Sequence, residues 1–79
     1  MTPEEFKSNC SAFEHHISDR DDAGKPRVVW RVITTFQTPA GRYVHTSHVN
    51  PDLWKQDPDL VIRLSRDSAV DSAYLKLKS

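Results

Sequence analysis

Residues 27–49 read RVVWRVITTFQ, then TPAG, then RYVHTSHV: two extended runs joined by one short corner. Valine, isoleucine, threonine and aromatic residues suit a pleated, half-buried surface, so both runs are predicted strands of a hairpin. Pro39 presets φ for the second position of a type I turn. Gly41 supplies the left-handed residue that closes such a loop with a bulge. That geometry pairs Thr38 with Arg42, Gln37 with Tyr43, Phe36 with Val44 and Thr35 with His45. Successive strand side chains point to opposite faces, so the pairing sorts the ribbon. Val28, Trp30, Val32, Phe36 and Val44 form the expected core face. Arg27, Val29, Arg31, Ile33, Thr35, Gln37, Tyr43, His45 and Ser47 form the expected outer face.

A two-stranded ribbon is marginal in water, so something must cover it. On the N-terminal side, Thr2-Pro3-Glu4-Glu5 has the form of a helix start: a capping threonine, proline at the first position and an acid three residues on. Phe6, Cys10, Phe13 and Ile17 follow at helical spacing, which predicts a helix to about Ser18 with one narrow apolar stripe. That helix is the expected lid. Asp19–Gly24 is polar and aperiodic and is predicted to be a loop.

On the C-terminal side, NPDLWKQ is followed by DPDLVIR, each with a cap residue before proline. The first predicts a short helix. The second fits a helix through Leu60, Val61 and Leu64, or a strand through Leu60, Ile62 and Leu64. The C-terminus is equally two-sided: Ala69, Val70, Ala73, Tyr74 and Leu77 suit a helix, and Tyr74-Leu75-Lys76-Leu77-Lys78 alternates like an edge strand. The expected fold is α+β, one domain over residues 1–79. An N-terminal helix packs on a three-stranded antiparallel sheet built on the central hairpin. The order is αβββα, or αββαβ if residues 73–78 rather than 60–65 supply the third strand.

The chain has 79 residues, with 11 basic and 11 acidic side chains. So short a chain buries only about 60% of its extended surface, which leaves little room for a deep active site. The charge is segregated. Residues 1–22 carry Glu4, Glu5, Glu14, Asp19, Asp21 and Asp22 against Lys7 and Arg20, whereas residues 23–50 carry Lys25, Arg27, Arg31 and Arg42 and no acid. One cysteine, Cys10, precludes an internal disulfide. With no signal-peptide pattern and no long apolar run, a cytoplasmic protein without membrane contact is expected.

Four histidines, His15, His16, His45 and His48, raise the question of a metal. On a strand, His45 and His48 point to opposite faces, and on a helix His15 and His16 diverge by about 100°, so no metal site is expected. No nucleophile elbow and no phosphate-binding glycine loop is present, so neither enzyme activity nor a cofactor is expected. The order αβββα is similar to that of double-stranded-RNA-binding domains. Those domains open their last helix with a basic cluster. Here residues 66–79 read RDSAVDSAYLKLKS, with the lysines at the far end.

These features lead to an expected function: a non-enzymatic protein that binds a larger macromolecule, a protein ahead of a nucleic acid. It would be an inhibitor or adaptor of the kind common in phages and mobile elements. The expected contact residues are Arg27, Arg31, Ile33, Thr35, Arg42, Tyr43 and His45, since arginine and tyrosine are enriched at binding hot spots. The alternatives are that the chain's own C-terminal segment covers this face, or that a homodimer does.

Overall fold

A computed structural model describes residues 2–78. The order is α1 (Pro3–Ser8), β1 (Ser11–Arg20), β2 (Pro26–Thr38), β3 (Gly41–Val49), α2 (Pro51–Gln56) and α3 (Pro58–Lys78). The class is α+β, and helix, three antiparallel strands and helix follow in the expected sequence. The sheet is a meander, β1-β2-β3, with β2 in the centre.

Two segments differ from the sequence expectation. The N-terminal helix stops after Ser8, and residues 11–20 form the third strand. Asn9 ends the helix: its side-chain amide donates to the Glu5 carbonyl at 2.8 Å, and the backbone leaves helical geometry. Beyond it Phe13, His15 and Ile17 alternate inward, a period of two hidden in the sequence by the polar His15. Ala12, at φ 56°, sits in the register shift between Ser11 and Glu14, where the edge strand carries an extra residue. The turn back to β2 is tied by Asp21, whose Oδ1 accepts from the backbone of Ala23 and Lys25 at 2.9 Å each.

The second difference is that neither 60–65 nor 73–78 is a strand. Both lie in α3, a continuous helix of 21 residues. Asp57 caps it, its Oδ1 accepting from Leu60 N–H at 3.1 Å, and Pro58 occupies the first turn. The face it buries is Val61, Ser65, Ala69, Val70 and Ala73. Those side chains are small, which lets the helix lie close on the sheet. The lid is therefore α3, with α1 set against it through the Lys7–Asp67 ion pair at 3.2 Å and the contact of Phe6 with Tyr74.

The hairpin corner is tighter than expected. Thr38 pairs with Gly41, leaving a two-residue loop of Pro39 and Ala40. Thr38 holds it: its hydroxyl accepts from Ala40 N–H at 3.1 Å and donates to the Gly41 carbonyl at 2.8 Å. Gly41 is at φ +117°, a conformation that side-chain-bearing residues rarely adopt. Every residue of β3 is thereby displaced by one against β2: Phe36 faces Tyr43, Thr35 faces Val44, Thr34 faces His45. A one-residue slip exchanges faces. Tyr43, His45, Ser47 and Val49 turn toward α3, and Val44 turns out, 55% exposed.

The core face of β2 is Trp30, Val32, Thr34 and Phe36, as the alternation requires. Val28 shares their parity but is 90% exposed, because the β1–β2 hairpin overhangs the end of β3, whose Val49 pairs with Trp30. The core has two halves. Phe6, Phe36, Ala69, Val70 and Ala73 form one, with Phe13 stacked on Phe36 at 5.0 Å between centroids. Val32, Val49 and Val61 form the other, with Ile17, Trp30 and Trp54 around them. Between the halves runs a polar row across all three strands: His15, Thr34 and His45.

Candidate functional site

The helices all lie on one side of the sheet. None of the buried β2 residues, Val32, Thr34 and Phe36, belongs to the other side, which is left open. Strand alternation and the observed register give the rows of the open face. Ser18, Arg31 and His48 lie across the sheet in one row. His16, Ile33 and Thr46 make the next, then Glu14, Thr35 and Val44. Gln37 and Arg42 close the face near the corner.

Of the residues expected to make contact, Arg31, Ile33, Thr35 and Arg42 come together on this open face. Arg27 lies at its far end on the overhang, its Nε donating to the Arg20 carbonyl at 2.9 Å. Tyr43 and His45 do not belong to it. They are half-buried against α3, with the Tyr43 hydroxyl 3.3 Å from Ser72 Oγ and His45 Nε2 3.3 Å from Ser68 Oγ. The one-residue shift at the corner put them there. The same shift delivers Arg42, Val44 and His48 to the open face, three residues that the expected register turned inward. His16 joins them because residues 11–20 form a strand.

The face is therefore basic, but without the aromatic component expected of it. Among the described residues every aromatic side chain lies on the helix side: Phe6, Phe13, Phe36, Tyr43 and Tyr74 in one half of the core, Trp30 and Trp54 in the other. What the open face does offer is two guanidiniums, Arg31 and Arg42, for which no side-chain ion pair or hydrogen bond forms among the described residues. Around them stand the partly exposed apolar groups Val29, Ile33 and Val44.

Among the described residues the two ionisable groups whose proton affinity is displaced, Cys10 and His15, lie on the helix side. The thiol of Cys10 is pushed up by burial and donates to the Phe6 carbonyl at 3.2 Å. His15 is pushed down, first by burial and then by the charge of Arg66, whose guanidinium lies 4.3 Å from the centre of the Phe13 ring. Its Nδ1 shares a hydrogen bond with buried Thr34 at 3.1 Å, and its Nε2 is buried with no partner. These groups belong to the core and do not converge with a carboxylate.

A concavity lies between α1, the hairpin corner and the end of α3, lined by Phe6, Pro39, Ala40, Tyr74, Leu77 and Lys78. Among the described residues its lining contains no carboxylate, imidazole or thiol. His45 and His48 point to opposite faces, and so do His15 and His16. Among the described residues no three histidine, cysteine or carboxylate groups are grouped to hold a metal ion, and no helix is long and apolar enough to cross a membrane. Comparison with protein families, with curated proteins and with solved structures finds no match, so the geometry of the open face is the basis for a functional reading.

Proposed function

We propose that this chain is a non-enzymatic interaction protein that binds a larger protein through the open face of its sheet. The observation that carries the reading is the composition of that face. A sheet covered on one side by helices ordinarily turns polar residues to water on the other. Here Val44, 55% exposed, lies diagonal to Ile33 between the rows of the unpaired Arg31 and Arg42, and Val29, 48% exposed, lies just beyond Arg31. Apolar surface rimmed by polar groups is the usual composition of a contact site, and arginine is enriched at the residues that dominate binding energy.

A nucleic acid would use the same arginines, and the basic hairpin is the feature that favours it. Single-stranded nucleic acids are held largely by stacking on aromatic side chains, and this face presents none. Protein is thus the better-supported partner. The test compares Arg31→Glu and Val44→Asp with the unaltered chain for recovery of a partner from nuclease-treated extract of the source cells. Both substitutions are expected to abolish recovery while leaving thermal unfolding within a few degrees. Retention of the partner by both variants would refute the reading.

A further inference from the structure

The open face has dimensions and a charge layout that suit one kind of occupant. Arg42 stands opposite Gln37, six residues along β2 from Arg31, so the two guanidinium rows are about 20 Å apart. Between them lie Ile33, Thr35, Val44 and Thr46. Two gaps between three strands make the face about 10 Å wide, close to the 10–12 Å diameter of an α-helix. The opposite face of the same sheet is covered in that way by α3.

We propose that the open face receives an amphipathic helix of the partner protein, one that carries carboxylates near both ends of a short apolar stretch. The inference rests on the reading of this face as a docking surface. Charge complementarity selects the acids. Each guanidinium presents a planar fork of N–H donors matched to a carboxylate. Arg31 is flanked across the strands by the imidazole of His48, which adds a donor to the same end, and by Ser18, whose hydroxyl donates to the Arg20 carbonyl at 3.3 Å. Glu14, the one acid in these rows among the described residues, stands beside Thr35 at the middle. It discourages a carboxylate there and leaves the two ends as the favoured positions. A span of about 20 Å corresponds to about 14 helical residues between the two acidic positions, a spacing that also returns both to nearly the same face of the helix. The apolar stretch then covers Ile33 and Val44.

The probe is a synthetic helical peptide with paired glutamates about 14 residues apart on one face and leucines between them on the same face. Two twins replace the glutamates by lysine or by glutamine. Binding is read by fluorescence anisotropy, and the contact surface by amide shifts of the isotope-labelled protein. The glutamate peptide is expected to bind and to move the amides of Arg31, Ile33 and Val44, and the lysine twin is not. Arg31→Glu should weaken the glutamate peptide about tenfold, and Arg31→Glu with Arg42→Glu should transfer binding to the lysine twin. Equal binding of the glutamate and glutamine peptides overturns the acidic-helix inference and leaves the docking face standing. So does failure of the glutamate peptide when a photo-crosslinker at Val44 still traps a protein. If neither the peptide nor the crosslinker registers on this face, both readings fall. Amide shifts on the face caused by poly-uridylate and not by the peptide assign it to nucleic acid and overturn both.

Discussion

Thr38 stands directly opposite Gly41, and this one pairing decides which side of β3 meets the core. Had Thr38 paired with Arg42, Val44 would be inside and Tyr43 outside. The corner is specified by two features, the twofold hydrogen bonding of the Thr38 hydroxyl and the positive φ of Gly41. Nothing lies within 4 Å of the position a Cβ would take on Gly41, so a side chain there meets no obstacle and the cost is conformational. Gly41→Ala is expected to destabilise the fold by about 1–3 kcal/mol. Thr38→Ala should cost about 1 kcal/mol through the lost hydrogen bonds. Chemical denaturation measures both.

The polar row through the core makes stability depend on pH in a defined direction. His15 is held below its ordinary range by burial and by Arg66, so the folded state favours the neutral ring more than the unfolded chain does. Between the folded and unfolded values the unfolded chain binds more protons, so stability rises with pH there. The contribution is complete above the unfolded value, about 6.5, and is lost as pH falls below it through the folded value. Stability measured from pH 8 to 5 should decline on the acid side, and the decline should be smaller in His15→Gln. Arg66→Met removes the second cause and should move the titration midpoint of His15, followed by NMR, upward.

The same row allows a test by paired substitution. Thr34 is fully buried and bonded to His15 Nδ1. Thr34→Val alone strips His15 of its partner and should cost about 1–3 kcal/mol. His15→Leu with Thr34→Val removes both polar groups together and should recover most or all of that loss, since an apolar pair leaves nothing unsatisfied. Denaturant midpoints of the single and double variants provide the comparison.

Cys10 should be a slow thiol. Burial pushes its proton affinity up, and its sulfur is engaged with the Phe6 carbonyl. Since the thiolate is the nucleophile, alkylation by iodoacetamide at pH 7.5 should run well below the rate for a small free thiol. Denaturant should restore that rate. An equally fast reaction in the folded protein would contradict the packing of this segment.

Much of this architecture is legible in the residues. The caps at Thr2, Asn50 and Asp57, each beside a proline, mark three helix starts that the structure has. The alternation Trp30, Val32, Phe36 assigns the inner side of β2. Elsewhere one apolar pattern satisfied two periods. Phe6, Cys10, Phe13 and Ile17 fit a helix, yet only Phe6 lies in one, because Asn9 ends α1 and a strand edge was available beside β2. Leu60, Ile62 and Leu64 alternate, but Val61, Ala69, Val70 and Ala73 have helical spacing, and with Ser65 they are the face that α3 buries on the sheet. The contact surface was half legible. Arg31, Ile33 and Thr35 follow from the alternation of β2, whereas the exchange of Tyr43 and His45 for Arg42, Val44 and His48 turns on one residue of loop length.

Site-specific photo-crosslinking tests the proposed role of the open face most directly. A crosslinking side chain is placed at Val44, on the sheet side, or at Leu75, 63% exposed on α3. Protein adducts are expected from Val44 and not from Leu75, and Arg31→Glu should remove them. Adducts formed from Leu75 alone, or Val44 adducts that persist with Arg31→Glu, would contradict the account.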